Sequence, residues 1–395
     1  MARKIRAQTE SDPGRDAAPD LDPAWRERIR SRLVDWYGAA QRPLPWRDDR
    51  DPYRILVSET MLVQTTVAAV VPYFERFLVR FPTVRALAEA DEAEVVKAWE
   101  GLGYYRRARQ LHQAARAVVR DHDGAIPDDP ESLRALPGVG RYIAGAILSF
   151  AFGRAAPIVE ANTQRVLARW LAWGEDVRSS RSQARLWQAA ERIVPEDDPA
   201  TFNQAFMELG ALVCIPKGPL CLTCPVAADC VARQSGRQDV LPVVAPRPAP
   251  LELSEACVAV VDAGRVLVVR RGPGSLWEGF WELPTVHLAG PDPARRSFGV
   301  PVALAEGVRR LTSVSASVGP VATTVKFVVT KHRVTLDVHL ARRIEGNPQP
   351  GPGLVETAWV TPVELEGLTC GSATRRVLAW LDKGKLFDSG HPGRA

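Results

Sequence analysis

Cys214, Cys221, Cys224 and Cys230 are spaced C-x6-C-x2-C-x5-C, close enough in the chain for four thiolates to converge on one inorganic core. Four such ligands are what a cubane [4Fe–4S] cluster takes. A structural zinc would more often show two similar, shorter pairs, and it stays as the alternative. Disulfides of a secreted chain fit less well. The start MARKIRAQTE is basic and polar with no apolar signal segment, and no run is long enough to span a membrane. Cys257 and Cys370 fall outside the spacing and read as buried thiols. A second pattern, Leu136-Pro137-Gly138-Val139-Gly140-Arg141-Tyr142, sets two glycines around one apolar residue ahead of a helix. Such a hairpin can point the backbone N–H groups of Gly138, Val139 and Gly140 at one phosphate oxygen, a contact that needs no base sequence. The same residues would also serve as an ordinary turn between helices. Gly145, between Ala144 and Ala146, permits close packing of the helix that follows.

The elements that must hold these residues divide the chain in two. At 395 residues with 46% hydrophobic content it can build two cores. A net charge of +5 is compatible with a polyanionic partner without requiring one. Residues 1–21 read as a disordered tail ending at Asp22-Pro23, a helix cap and first-turn pair. From 22 to 238 apolar residues recur three and four apart. They predict helices over Trp25–Trp36, Met61–Phe81, Glu92–Trp99, Arg106–Val119, Ala184–Ile193 and Phe202–Val213, closed by the cysteine loop. Residues 239–252 read as a linker, with four prolines between Leu241 and Pro250. A second, α+β domain is expected over 253–386, followed by a tail at 387–395. Its strands fall at Ala256–Val261, Arg265–Val269, Thr324–Thr330 and Val334–Leu340, with a turn at Asp262-Ala263-Gly264 and a last helix near Ala373–Leu381.

Leu136 to Tyr142, with the cysteine loop about seventy residues later, resembles the helix-hairpin-helix superfamily of base-excision DNA glycosylases that carry an iron–sulfur cluster. Within it the chain is most similar to the MutY-type adenine DNA glycosylases. That similarity is carried by Leu44-Pro45-Trp46-Arg47, Asp51-Pro52-Tyr53, Ser58 to Thr65, Gly101-Leu102-Gly103-Tyr104-Tyr105 and Met207-Glu208-Leu209-Gly210-Ala211. Leu276 to Pro284 resembles part of that family's Nudix-like C-terminal domain. The resemblance implies a mainly α glycosylase domain with a [4Fe–4S] loop at 214–230, joined to an α+β Nudix-like domain. A Nudix hydrolase's acidic helix is missing, since only Glu306 stands near Arg309 and Arg310, so pyrophosphatase activity is not expected.

Releasing adenine from deoxyribose leaves positive charge on the sugar, and the departing base must take a proton, so one acid and one anion are needed. The resemblance implies Glu59 as the acid, in the first turn of a helix opened by Ser58. There the helix dipole favours the ionised form and apolar burial must oppose it. It implies Glu160 as the anion, where the family has aspartate. The added methylene moves the carboxylate by more than about an ångström unless the backbone retreats, and Glu160 could equally cap the helix that follows. Tyr142 stands where strand-cutting relatives carry a Schiff-base lysine, so base removal without β-elimination is expected. Asn162 would face the reacting sugar or its water.

To reach its base the enzyme would extrude a nucleotide, with Gln64 and Tyr104 filling or flanking the gap and Arg107 meeting phosphate. Val63 replaces a frequent second glutamine. Thr330-Lys331-His332 stands where the family commonly has Phe-Ser-His, the loop that reads 8-oxoguanine opposite adenine. A bare hairpin turn is the other reading. The implied partner is double-stranded DNA carrying an A:8-oxoguanine or A:G mismatch, bound by a monomer on the chromosome in the cytoplasm, with no membrane contact. A glycosylase for another base, such as thymine opposite G, and a non-catalytic iron–sulfur DNA-binding protein are the alternatives. Glu59, Tyr142 and Asn162 together speak against the latter, because phosphate binding needs none of them.

Overall fold

Asp22 accepts the backbone N–H groups of Ala24 (3.3 Å) and Trp25 (3.0 Å), so Pro23 opens helix α1 (Pro23–Ala40). The computed structural model describes residues 21–384 other than 48, 247, 276 and 288–299. The tails expected at 1–20 and 387–395, residues 385–386 of the expected second domain, and Leu276 of the Nudix-like motif therefore lie outside the described residues. Leu21, placed in the tail by its sequence, is instead buried with the helical core. After α1 come α2 (Pro52–Leu62), α3 (Val67–Arg80), α4 (Val84–Glu89), α5 (Glu92–Ala98), α6 (Arg106–Asp121), α7 (Pro130–Ala135) and α8 (Arg141–Phe150). Then follow α9 (Ala161–Trp170), α10 (Ser180–Ile193), α11 (Pro199–Leu212) and the short α12 (Val231–Gln234).

The chain forms two compact units, Met1–Ala90 with Arg106–Pro246, and Asp91–Tyr105 with Arg247–Ala395. Among the described residues the first holds helices and no strand. One of its cores packs Ile29, Leu33 and Tyr37 of α1 against Val166, Leu167 and Trp170 of α9, Leu186 of α10 and Phe202, Phe206 and Leu209 of α11. The single helix expected over Met61–Phe81 is corrected: α2 stops at Leu62 and α3 begins at Val67, with Gln64 left-handed between them (φ 61°). The run Thr65-Thr66-Val67 is β-branched and lowers helix propensity there. Arg107 meanwhile donates to the carbonyls of Thr60 and Met61 (2.9 Å each) and of Val63, replacing the partners that further helix would have supplied. The expected linker is partly tied down, since Leu241 is buried and Val243 O accepts the Val177 N–H at 3.1 Å.

The second unit is a mixed sheet with helices on both faces. Its strands are β1 (Leu251–Asp262), β2 (Arg265–Arg271), β3 (Trp281–Glu282), β4 (Thr285–His287), β5 (Ser315–Val329), β6 (His332–Glu345) and β7 (Leu354–Val360). Helix α13 (Val300–Thr312) precedes β5, while α14 (Pro362–Gly367) and α15 (Ser372–Lys383) follow β7. Among the described residues the order is β3-β2-β1-β6-β5, with β4 also on β1 and β7 on β2; β1 and β6 run parallel. The two-residue alternation of β1 builds both faces. Cys257 and Ala259 meet Leu365, Val377 and Leu381 on one side, and Ala256, Val258 and Val260 meet Leu304 and Val308 on the other. Ala263 and Gly264, both at positive φ, make the tight turn expected between β1 and β2. This unit also takes in α5 and the turn after it, which chain order sets between α4 and α6. Helical periodicity gave no sign of that assignment.

Candidate active site

Glu59 lies in the last turn of α2, not the first turn that its sequence suggested. Asp51 begins the helix earlier by accepting the Tyr53 N–H (2.8 Å), with Pro52 at the first position, so Ser58 is an interior residue bonded to Ile55 O (3.0 Å). The correction reverses the electrostatics: the negative end of the helix dipole disfavours a carboxylate there. Glu59 is only 3% exposed. Burial pushes its carboxyl up to about 7, helped by the nearby Glu160 charge, while the Tyr142 hydrogen bond and Arg47 pull it down. Tyr142, at the start of α8, donates its hydroxyl to Glu59 Oε2. Burial and the two carboxylates keep that phenol well above its usual pKa, hence protonated.

Glu160 stands at the other kind of helix end, although burial raises its carboxyl too. It is the N-cap of α9, with Oε2 accepting the Asn162 N–H (2.8 Å) and Oε1 the Thr163 N–H (3.0 Å). The extra methylene is taken up by curling the carboxylate back onto the helix end. Burial raises its pKa, and these two N–H groups together with Arg165 oppose the rise by favouring the anion. The cap reading is thus observed, and it is compatible with an anionic role because the capped form is the charged one.

Two glycines let this segment in. A Cβ on Gly145 of α8 would stand 2.3 Å from Pro157 O, and one on Gly210 of α11 would stand 2.7 Å from Asn162 Cβ. The close packing expected of Gly145 is therefore against the segment that leads to Glu160. Gly145→Ala should lower stability by about 1–3 kcal/mol, since a backbone oxygen cannot yield cheaply. An unchanged thermal midpoint would contradict this approach. Asn162 Oδ1 accepts from Arg165 (2.8 Å), and Arg165 also reaches Gly210 O (2.7 Å) and Cys214 O (2.7 Å). Arg169, buried one turn on, bonds Cys214 Sγ (3.2 Å) and Ile215 O (2.8 Å). One helix thereby ties the cysteine loop to the Glu160 end of the site.

The four cysteines are unpaired and line one small cavity with Trp170, Val213 and Arg169, and Asp229, next to Cys230 in the chain, pairs with Arg28 and Arg32 of α1 (2.9 and 2.8 Å). Among the described residues no three His, Cys, Asp or Glu side chains converge tightly enough to hold a single metal ion. Four thiols around an apolar-walled cavity nevertheless suit a larger inorganic core, so the residues fit a cluster.

The hairpin after α7 has the expected shape, with Gly138 left-handed (φ 77°) and pressed on Gln110, where a Cβ would sit 2.7 Å away. One part of the expectation is corrected: the Val139 N–H donates to Leu136 O (3.1 Å) and its side chain is buried, so Val139 braces the turn. Gly138 and Gly140 remain as phosphate candidates. Gln64 is exposed between α2 and α3. Arg107 is also corrected: besides the α2 carbonyls it bonds Thr65 Oγ1 (3.1 Å), so its guanidinium shapes the turn that presents Gln64. In the second unit Tyr104 is left-handed (φ 50°) and 55% exposed. Thr330 and Lys331 form the two-residue turn between Val329 of β5 and His332 of β6, exposed except for a half-buried His332.

Three residues given no role on sequence stand out. Glu208 is buried against Arg42 (2.7 Å) and Arg47 (2.9 Å). Burial alone would raise its carboxyl, but those hydrogen bonds prevail and hold it at about 2. Arg165, three residues after Asn162 on a helix, could have been found from that spacing. Arg47 bears electrostatically on Glu59, which only the fold reveals.

Residues 57–192 match the HhH-GPD superfamily of base excision DNA repair proteins, and residues 256–380 match the NUDIX domain. A human adenine DNA glycosylase is 39% identical over 312 residues, 65% of this chain and 57% of its own length. An adenine DNA glycosylase of Mycolicibacterium smegmatis is 40% identical over 205 residues, 52% of this chain and 69% of that protein. One from Buchnera aphidicola subsp. Schizaphis graminum is 31% identical over 253 residues, 64% of this chain and 73% of that protein. The chain spans 57% to 61% of the length of its mammalian relatives. Among the described residues no helix is long and apolar enough to cross a membrane.

Proposed function

We propose, since this chain belongs to the adenine DNA glycosylase family, that it hydrolyses the N-glycosidic bond of adenine mispaired with 8-oxoguanine or guanine in double-stranded DNA. The observation that carries this reading is the contrast between two neighbouring carboxyl groups. Glu59 sits at a helix C-terminal end, buried and proton-holding, while Glu160 sits at a helix N-terminus that favours its anion. Pairs of groups whose surroundings separate their proton affinities assign an acid and a base.

In the proposed reaction Tyr142 occupies Glu59 Oε2, leaving Oε1 to carry the proton to a ring nitrogen of adenine. The bond from C1′ to the base then breaks, and its electron pair leaves with the protonated base. The Glu160 carboxylate stabilises the cationic sugar, water adds at C1′ beside Asn162, and the proton it releases restores Glu59. Tyr142 cannot form a Schiff base, so the strand is left uncut. Cys214, Cys221, Cys224 and Cys230 would hold a [4Fe–4S] cluster. Once bound, it supplies a rigid, charged core that braces the loop carrying Lys217, with Arg233 and Arg237 beyond. Gly138, Gly140 and Gln64 in one unit, and Tyr104 with Thr330-Lys331-His332 in the other, are the proposed contacts to phosphate, base stack and opposite base. The protein would act as a monomer on chromosomal DNA in the cytoplasm.

Purified protein should release adenine from A:8-oxoguanine and A:G duplexes, with nicks appearing only after alkali. Borohydride should trap no covalent adduct in high yield. Thymine release from T:G without adenine release would replace this reading with the alternative target. Tight duplex binding with no base release would leave a non-catalytic DNA-binding protein.

A further inference from the structure

Chain order puts residues 91–105 among the glycosylase helices, yet they are packed into the sheet-bearing unit, and they end on Tyr104. Lys97 Nζ donates to Glu100 Oε2 (2.8 Å), Glu366 O (2.7 Å) and Leu368 O (2.9 Å). Arg375 of α15 grips the same carboxylate at Oε1 (2.6 Å) and Oε2 (3.3 Å), and reaches Leu365 O (2.8 Å) and Leu368 O. The two cations thus satisfy carbonyls at the C-terminal end of α14 while sharing Glu100, and that carboxylate is mostly shielded from water. Beyond Glu100 the backbone is left-handed at Gly101, Gly103 and Tyr104. It is held by Trp99 Nε1 on Gly103 O (3.2 Å) and by the Gly101 N–H on the Tyr105 hydroxyl (3.2 Å). The Tyr105 ring packs edge-on to Phe280, centroids 4.5 Å apart, inside the Trp277 to Pro284 motif. A left-handed tyrosine persists only where its surroundings dictate it.

We propose that Arg375, Glu100 and Lys97 are positioning residues for Tyr104, so that the wedge beside the opposite base is presented by the same unit that carries the Thr330-Lys331-His332 turn. Opposite-base discrimination then depends on a charge network apart from the tyrosine ring itself. The proposal rests on the glycosylase reading for its consequence, but not for its geometry.

Two measurements separate these. In DNA-free protein, Arg375→Ala should speed hydrogen exchange at Gly101–Tyr105 about tenfold or more, with the rest of the sheet unchanged. With A:8-oxoguanine and A:G duplexes, Arg375→Ala should lower the preference for 8-oxoguanine about tenfold, the range that loss of one stacked aromatic gives, and Tyr104→Ala should match it. Arg375→Lys should recover part of the loss. Unchanged exchange at 101–105 would overturn the positioning role. Faster exchange with unchanged preference would overturn its link to recognition. Faster exchange in a protein that releases no adenine at all would fault the enzymatic reading and keep the network.

Discussion

Glu59→Gln should lower single-turnover adenine release by about 1,000-fold or more, within the span a positioned general acid supplies. Glutamine keeps the shape and can still accept the Tyr142 hydroxyl, but it has no proton to give. The same variant should be more stable than the parent above neutral pH. The folded pKa near 7 exceeds the ordinary 4.5, so between these values the native state holds a proton that the unfolded chain has lost. Stability from that proton is fully present below the unfolded pKa and is lost as pH rises through the folded one, costing about 3 kcal/mol at alkaline pH. Between about pH 5 and pH 8 the parent should therefore lose more stability in thermal melts than Glu59→Gln, the loss common to both coming from carboxyls such as Glu282 that burial also pushes up to about 7. An inactive variant with no gain in stability at the higher pH would mean that burial does not raise the Glu59 carboxyl above its ordinary range.

Glu160→Gln should slow base release by about 100- to 1,000-fold, the loss typical of removing one preorganised electrostatic partner of a developing charge. Its amide oxygen can still accept a backbone N–H, whereas its NH2 cannot, so one of the N–H groups of Asn162 and Thr163 loses its acceptor at a cost of about 1 kcal/mol. Glu160→Asp separates the two effects. Aspartate is a favoured N-cap and keeps the charge, so stability should hold, while the retreat of the carboxylate by over an ångström should cost about 10- to 100-fold in rate. Single-turnover rates beside melting curves check all of this, and parental rates in Glu160→Gln would remove the residue from the chemistry.

Much of this arrangement was legible in the chain, because spacing within one element or one loop is a local property. The four cysteines share a cavity as their spacing implied, and the turns at Ala263-Gly264 and Gly138 follow from glycine's tolerance of positive φ. The position of Glu59 in its helix is not legible, because Ser58 resembles a cap and only the competing Asp51-Pro52 start decides where the helix begins. Arg107 looks like a DNA-facing arginine in sequence, since nothing local shows that the carbonyls ending α2 lie within its reach. Helical periodicity identified α5 but could not say which core it joins, because its attachment runs through Arg375, 275 residues after Glu100. Long-range ion pairs leave no periodic trace.

The proposed reaction starts from a protonated Glu59 beside a Glu160 carboxylate that the α9 N–H groups hold against the rise that burial brings. The most direct test is the pH dependence of single-turnover adenine release at saturating enzyme, from about pH 5 to 9. The rate should fall as pH rises through about 7, tracking loss of the Glu59 proton, and the small residual rate of Glu59→Gln should lack that step. A parental rate that stays level across this range, or climbs through it, would contradict the assignment of Glu59 as the acid.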